Sequence, residues 1–357
     1  MGSTRSVSAA GAAAEDDRRN VSDAVGVAVL GGCAVWSLIT AAAHDGRPEG
    51  ALLAVLAVAA GHAAGRITGA LLPVAAPCAA TVAGISLTVA VPHLGPGPQP
   101  GPPLGHTGAT AALLTLAAGA ACCAAWATPV PANRLALRAL AAAAAVTAAA
   151  LGSLTGALAC ALVLLASIAA GRMQRRGAGI AGLAVAAAAV TGGTWAVAAK
   201  ILPDGLTLSL EGQLTGHRVE LWRDALRMAG QEPMVGVGPG RFGELSPTAV
   251  ETLASDGKPH SALLQQAAEQ GVVGVLLLGA AFGWVLFALW RAARPTPVVL
   301  TAGAALTALA VVAAVGNALS FTAVTAGAGL LIGLSTARPL RDEEPRRVQA
   351  TASRPEG

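Results

Sequence analysis

VVGVLLLGAAFGWVLFALW, at residues 272–290, is an unbroken apolar run long enough to cross a hydrocarbon core of about 30 Å as one helix. Mean hydropathy is +0.63 and charged residues make up only 12% of the chain, far below the roughly one quarter of a soluble domain. The sequence therefore predicts an all-α integral membrane protein with about ten transmembrane helices. The other spans lie near 24–43, 50–65, 69–91, 108–129, 136–151, 153–170, 178–199, 297–316 and 318–335.

The distribution of arginine predicts the orientation of these spans, because short cytoplasmic loops collect Lys and Arg. With ten spans and a cytoplasmic N-terminus, one side of the membrane holds most of the loop arginines. Both termini are then cytoplasmic, with disordered tails at 1–22 and 336–357 around a transmembrane domain at 23–335. The protein is expected in the cytoplasmic membrane. The arginines on the cytoplasmic side are Arg66, Arg134, Arg138, Arg172, Arg175, Arg176, Arg291 and Arg294, together with those of the tails.

One polar segment, at residues 216–274, interrupts the apolar chain, and we call it the polar island. All but its last three residues belong to a loop at 200–271 that the topology places outside the cytoplasm. Within it, residues 216–229 form a predicted amphipathic helix whose apolar face is Val219, Trp222, Ala225 and Leu226. We expect this interfacial helix to lie on the outer surface of the cytoplasmic membrane, with Trp222 at the level of the lipid headgroups.

Two linked motifs in the polar island resemble those of the O-antigen ligase and polymerase family of bacterial membrane proteins, the Wzy C-terminal type. The first motif is R-x-x-x-W followed by A, P and G-x-G-x-G-x-F, and the second is H-N, L and E-x-G-x-x-G. Both occur in order, in a large loop immediately before a transmembrane span. The matching residues are Arg218, Trp222, Ala225, Pro233, Gly236, Gly238, Gly240 and Phe242, then His260, Ser261, Leu264, Glu269, Gly271 and Gly274.

This resemblance implies transfer of a glycan from an undecaprenyl-diphosphate carrier to a glycan or lipid acceptor on the outer face of the cytoplasmic membrane. A diphosphate leaving group needs cations, and the guanidinium of Arg218 would bind it bidentately without a metal. An acceptor hydroxyl must lose a proton, and His260 is the candidate base because histidine titrates in the right range. Arg218 and His260 are thus the candidate catalytic residues, and no cofactor or metal is expected.

Further residues of the island receive supporting roles, and the partners follow from the resemblance. The partners are the lipid-linked glycan donor, the acceptor, membrane lipids and other polysaccharide assembly proteins, but not nucleic acid. Glycines of the two motifs are expected to shape the backbone, since glycine adopts conformations closed to other residues. Candidate substrate-binding residues are Trp222, Arg223, Arg227, Arg241 and Glu269, and the structural glycines are Gly236, Gly238, Gly240 and Gly271.

Two positions depart from the pattern of the family. A second arginine is usual in an S-R-G-A-like stretch of a preceding helix, but Thr155 stands there in this chain. Diphosphate binding would then depend on Arg223, Arg227 or Arg241, or the activity would be altered or lost. Ser261 replaces the asparagine that usually follows the histidine.

Several alternatives remain open at the level of sequence. The motifs do not separate a ligase from a polymerase, and a catalytically degenerate scaffold member of the family is a further reading. A transporter or flippase for a lipid-linked or anionic solute would need polar residues at mid-membrane depth, and the spans offer few. His62 is interpreted as a packed residue near a span end. The five cysteines all fall within spans and imply no disulfide framework.

Overall fold

A computed structural model describes residues 3–90, 107–199, 216–251 and 257–338, with side chains from residue 21 onward. All regular structure in these ranges is helical. The helices are α1 (Ser3–His44), α2 (Glu49–Leu71), α3 (Ala75–Ala90), α4 (Thr107–Ala127), α5 (Pro131–Ala150), α6 (Leu154–Ala170), α7 (Arg176–Ala198), α8 (Gly216–Gln231), α9 (Phe242–Leu245), α10 (Pro247–Glu251), α11 (Ala262–Arg291), α12 (Thr296–Ala314), a 3₁₀ turn (Ala318–Ser320) and α13 (Thr322–Thr336).

Each of the ten predicted spans corresponds to one helix, although the third, at 69–91, begins within the end of α2 and otherwise matches α3. Within the described residues, α1, α2, α4, α7, α11 and α12 are long and apolar enough to cross a membrane. The apolar helices α3, α6 and α13 are shorter, with 16, 17 and 15 residues respectively. The protein is therefore a helical membrane protein, and the count of ten spans stays a prediction. Helix α1 begins at Ser3, within the stretch expected to be a disordered tail.

The Ala-rich segment around residue 152 forms two helices and not one kinked helix. Gly152 has a φ of +76°, a left-handed conformation that ends α5. Ser153 then caps α6, because its Oγ accepts a hydrogen bond from the Gly156 backbone N–H at 3.2 Å. The chain consequently reverses direction here, as two antiparallel spans require.

Helix α4 lies at the centre of the bundle. Of the 18 consecutive residues that make up its most hydrophobic stretch, 89% are buried, whereas the corresponding value for the peripheral helix α2 is 11%. Its sequence is mostly Ala, Gly, Leu and Cys, and small side chains allow neighbouring helices to approach on every side. Helices α3, α5, α6 and α12 all pack against it.

Helices α2 and α13 meet along a seam of glycines, in which backbone touches backbone. A Cβ atom on Gly65 would lie 2.3 Å from the Leu330 carbonyl oxygen, and one on Gly333 would lie 2.2 Å from the His62 carbonyl oxygen. Any larger residue at these positions would separate the two helices. Glycine at these positions therefore permits the close approach of the two helix backbones.

Connections between the helices gather at two ends of the bundle. At one end, which we call the basic end, the Arg176 side chain donates hydrogen bonds to the carbonyls of Ala292 and Arg294. The buried Arg294 in turn donates to the Ala337 and Gly69 carbonyls, at 2.7 and 2.8 Å. These contacts bring together the α2–α3, α6–α7 and α11–α12 connections. This grouping is expected when successive helices cross the bundle in opposite directions, because every second connection then lies at the same end. The polar island lies with the opposite end, beside the α1–α2 connection and the end of α12.

Candidate active site

Helix α8 is amphipathic, as its sequence predicts, and its apolar face is buried. Val219, Trp222 and Ala225 are at most 2% exposed, whereas His217, Glu220 and Arg227 face outward. Trp222 is completely enclosed, so its indole neither faces lipid headgroups nor offers exposed surface to the substrate it was predicted to bind. Its depth in the membrane stays a prediction. The apolar face of α8 packs on the rest of the island instead of on lipid.

The island has a small hydrophobic core of its own around Trp222. Phe242 and Leu264, which come from the ends of the two motifs, are also completely buried in this core. Two residues at the end of α7, Val197 and Ala198, complete it from the membrane side. The core thus fixes the positions of both motifs relative to α8 and to the bundle.

The glycines of the two motifs interlock directly. Gly236 and Gly271 have φ values of +68° and +65°, which an L residue rarely adopts. A Cβ atom on Gly236 would lie 2.4 Å from the carbonyl carbon of Glu269, and one on Gly271 would lie 2.5 Å from the carbonyl of Met234. Each glycine therefore admits the backbone of the other motif, which supports the predicted structural role of both.

Gly271 also breaks α11 and frees carbonyl groups that the rest of the helix would otherwise bind. The Ala268 carbonyl accepts from the Val237 N–H at 2.8 Å, and the Glu269 carbonyl accepts from the Gly238 N–H at 3.0 Å. In the reverse direction, the Val272 N–H donates to the Pro233 carbonyl at 2.8 Å. The two motifs are therefore held together by backbone hydrogen bonds running both ways.

The break in α11 at Gly271 is also hydrogen-bonded to helix α1. Trp36 donates its indole N–H to the Gln270 carbonyl at 3.0 Å. Sequence reasoning did not single out Trp36, because its partner lies more than 200 residues away and no local pattern marks the pair.

Glu269 has a buried side chain that closes the glycine-rich loop. Burial raises the pKa of its carboxyl group to about 7, an effect that the nearby backbone N–H groups of Gly240 and Phe242 oppose, and the Gln265 amide approaches at 3.4 Å. Lys258 provides a nearby positive charge. The carboxyl group thus lies against the backbone of the glycine-rich loop. Its predicted contact with substrate stays a prediction.

His260 is half-buried and has a φ of +52°, a left-handed conformation that is strained for a residue with a side chain. Strained residues concentrate at functional sites, where the surroundings hold them in place. The next residue supplies that support. Ser261 is 1% exposed and caps α11, since its Oγ accepts from the Leu264 N–H at 3.5 Å. Serine at the usual asparagine position therefore keeps a helix-capping group.

The candidate arginines contact different parts of the molecule. Arg218 is half-buried and donates to the Val315 carbonyl at 3.1 Å, which ties α8 to the end of α12. Arg241 donates to the His44 carbonyl at 2.6 Å, which ties the glycine-rich loop to the end of α1. Arg227 pairs with Asp224 at 2.8 Å, while Arg223 is half-buried on α8. Arg218 and Arg241 thus join the polar island to two different helix ends of the bundle.

Asp224 is a residue of the island whose importance the sequence did not reveal. It is 3% exposed and accepts from the Ser246 hydroxyl at 2.7 Å and from the Thr248 N–H at 3.3 Å. Ser246 in turn caps α10 through the Ala249 N–H. Burial opposes ionisation, but the hydrogen bonds from Ser246 and Thr248, with the charge of Arg227, lower the pKa of Asp224.

Thr155, which replaces the usual arginine, is exposed in the first turn of α6. That turn lies against the start of α4, because a Cβ on Gly156 would be 2.9 Å from the Cα of Ala111. The start of α4 borders the α12–α13 connection through Gly108 and Asn317. Thr155 therefore lies at the island end of the bundle.

Comparison with known proteins agrees with the motifs. Residues 139–279 match the family model described as O-Antigen ligase. The match covers less than half of the chain, and it extends from α5 through both motifs into α11. It confirms the resemblance drawn from the polar island. A comparison with curated proteins found no match to this chain.

Proposed function

Residues 139–279 carry the O-antigen ligase family pattern, and from this premise we propose that the protein transfers a saccharide from an undecaprenyl-diphosphate-linked donor to a glycan or lipid acceptor. The reaction takes place on the outer face of the cytoplasmic membrane. The observation that carries the proposal is the interlocking of the two motifs. Residues so far apart in the chain share one packed unit in which the segments of Arg218 and His260 have fixed positions.

Donor activation is assigned to the arginines. Breaking the bond between the sugar anomeric carbon and the diphosphate leaves negative charge on the carrier, and a guanidinium stabilises that charge through two parallel hydrogen bonds. Arg218 is the proposed principal contact, with Arg223, Arg227 and Arg241 as further cations of the loop. Arg241 gains importance because Thr155 supplies no charge at the usual arginine position.

Acceptor activation is assigned to His260. The acceptor hydroxyl attacks the anomeric carbon while its proton passes to the imidazole, and undecaprenyl diphosphate departs. The left-handed backbone of His260 and the cap at Ser261 support the role, since both fix the backbone position from which the imidazole side chain extends. Glu269 acts by holding the glycine-rich loop beside this segment.

The test is transfer of radiolabelled glycan by purified protein in liposomes, with lipid-linked donor extracted from the native host. We expect Arg218→Ala and His260→Ala each to abolish product while the protein stays folded. There are two matched controls. His217→Ala removes an exposed histidine from α8, the helix that carries Arg218, and Arg172→Ala removes an exposed arginine from the basic end. Both controls should transfer at the wild-type rate.

Two results would overturn the proposal in different ways. Wild-type rates in both Arg218→Ala and His260→Ala would exclude the assigned mechanism but not the activity. Absence of product from folded wild-type protein with authentic donor would favour a scaffold function. The observation that favours this reading is Thr155, which replaces the arginine usual in the family. Movement of donor across the liposome membrane without product would instead favour a flippase.

A further inference from the structure

The connection between α1 and α2, at residues 44–48, lies directly against the glycine-rich loop of the first motif, at residues 236–242. The Arg47 backbone N–H donates to the Pro239 carbonyl at 2.7 Å. A Cβ atom on Gly46 would lie 2.8 Å from the Cδ of Pro239 and 2.9 Å from its carbonyl oxygen, so the two backbones touch at this point. The connection therefore holds the loop from the side of the bundle.

Two glycines of the loop make this contact possible. Gly238 and Gly240 have φ values of +95° and +75°, in which glycine is unstrained. A Cβ on Gly238 would lie 2.9 Å from the Cβ of His44, and one on Gly240 would lie 3.3 Å from the Cβ of Arg47. The loop thus needs glycine at both positions for its conformation, and at Gly238 also for its approach to the connection.

The connection takes its shape from the way in which α1 ends. Asp45 has a φ of +51°, and the next N–H, that of Gly46, donates to the Ala41 carbonyl at 2.9 Å. A left-handed residue followed by this hydrogen bond is the Schellman motif of a helix C-terminus. Among the described residues, only Asp45 and His260 combine a side chain with a positive φ. Strain of this kind persists where the surroundings hold it, and it concentrates at functional sites.

The connection also determines where the Arg241 side chain lies. Its guanidinium donates to the His44 carbonyl at 2.6 Å, although the two residues are 197 positions apart. A salt bridge between Arg47 and Glu244, at 3.0 Å, crosses the same boundary. Its side chains are 73% and 53% exposed, and exposed ion pairs contribute little to stability. The backbone of the connection, and not the Arg47 side chain, is therefore what holds Arg241.

We propose that the α1–α2 connection is a positioning element of the donor site, which holds the Arg241 guanidinium where it meets the donor diphosphate. This inference rests on the proposed function, to which the diphosphate contact of Arg241 belongs. The connection lies outside residues 139–279, the part of the chain that matches the ligase family model. Because Thr155 supplies no charge at the usual arginine position, the placement of Arg241 matters more for donor binding in this chain.

The test compares two substitutions at Asp45 that remove the same exposed carboxylate but differ in backbone preference. Glycine adopts the left-handed conformation freely, whereas a β-branched valine disfavours it. Native mass spectrometry of purified full-length protein in neutral detergent would measure binding of undecaprenyl diphosphate and of undecaprenol, the same chain without phosphate. The variants are Asp45→Gly, Asp45→Val, Arg241→Gln and the double variant Asp45→Val/Arg241→Gln. Melting temperatures without ligand show whether each variant is folded.

A second pair of variants disturbs the connection without changing Asp45. Gly46→Ala places a Cβ against Pro239, whereas a Cβ on Gly50, at the start of α2, meets nothing within 4 Å. Gly46→Ala should bind undecaprenyl diphosphate more weakly than the matched control Gly50→Ala. This pair decides the question if Asp45→Val does not fold, and equal binding by its two members would overturn the proposal.

We expect Asp45→Gly to bind undecaprenyl diphosphate as wild type does, and Asp45→Val and Arg241→Gln to bind it about tenfold more weakly. The double variant should be no weaker than Arg241→Gln alone, because the connection acts through Arg241. Undecaprenol binding should be the same in all of them, whereas general loosening of the fold would reduce it too.

Three results would overturn the proposal. Equal losses in Asp45→Gly and Asp45→Val would mean that the carboxylate matters and the backbone conformation does not. Additive losses in the double variant would mean that the connection does not act through Arg241. Wild-type protein that binds undecaprenyl diphosphate no better than undecaprenol would contradict the proposed function itself, and this inference with it.

Discussion

At the scale of single residues, the candidate site is organised by side chains that bind its own backbone. Glu269 closes the glycine-rich loop, Asp224 supports the cap of α10, and Ser261 caps α11. None of these groups needs to touch substrate to matter for the proposed transfer, because each one holds in place a segment of the polar island that surrounds the candidate catalytic residues.

Asp224 gives a prediction about stability and pH. Its folded-state pKa lies below the ordinary value of 3.8, so its ionised form stabilises the fold above that pH. The contribution is lost as pH falls through the folded pKa. Asp224→Asn should therefore lower the free energy of unfolding by about 2 kcal/mol at pH 7, a typical value for hydrogen bonds to a charged group. The difference between variant and wild type should shrink below pH 3.8.

Thermal melts of both proteins in detergent across this pH range provide the measurement. The control is Glu220→Gln, which changes an exposed carboxylate on the same helix. It should leave the melting temperature unchanged at neutral pH. A constant difference between Asp224→Asn and wild type at every pH would contradict the assignment of the effect to ionised Asp224.

Gly236 gives a second prediction at this scale. Alanine there combines a positive φ with a Cβ placed 2.4 Å from the backbone of Glu269. We expect Gly236→Ala to cost about 3 kcal/mol, from backbone strain and overpacking together, and to abolish transfer. Gly230→Ala is the control, because a Cβ on this helical glycine meets nothing within 4 Å. It should be neutral or slightly stabilising. A Gly236→Ala protein as stable and active as Gly230→Ala would contradict the interlocking of the motifs.

At the scale of helices and loops, the sequence predicts what is local and misses what is not. The apolar runs locate ten helices, and the four glycines predicted to be structural mark where the backbone takes left-handed conformations. The burial of Trp222 could not be predicted, because an apolar helix face packs equally well on lipid or on protein. The bonds from Trp36 and Arg241 join distant segments, and no spacing in the sequence encodes them.

The seam between α2 and α13 gives a prediction at the scale of helices. A Cβ on Gly65 would lie 2.3 Å from the Leu330 carbonyl oxygen, and this backbone atom has no rotamer by which to move away. Gly65→Ala should therefore force the helices apart and lower stability by about 1–3 kcal/mol, the usual cost of overpacking. Gly31→Ala on α1, where a Cβ meets nothing within 4 Å, should cause no loss. Melting temperatures of the two variants make the comparison, and equal values would show that the seam tolerates separation.

At the scale of the whole molecule, the described charges divide between the two ends. Arg66, Arg176, Arg291 and Arg294 belong to the basic end, whereas the arginines of α8 and Arg241 belong to the island end. Short loops rich in arginine remain on the cytoplasmic side during insertion. The proposed reaction needs the island on the outer side, so orientation is a condition for the function as well as for the fold.

Labelling of single cysteines tests this orientation in intact spheroplasts. Val250→Cys on α10 is suitable because Val250 is 63% exposed, and Arg172→Cys reports on the basic end. Both are made after the native cysteines are replaced by alanine. A membrane-impermeant maleimide should label Val250→Cys directly and Arg172→Cys only after permeabilisation. Reversed labelling would place the island in the cytoplasm, where the proposed outer-face reaction cannot occur. Labelling of both sites without permeabilisation would mean an even number of spans between them, which rules out α7 as the single crossing from residue 172 to the island.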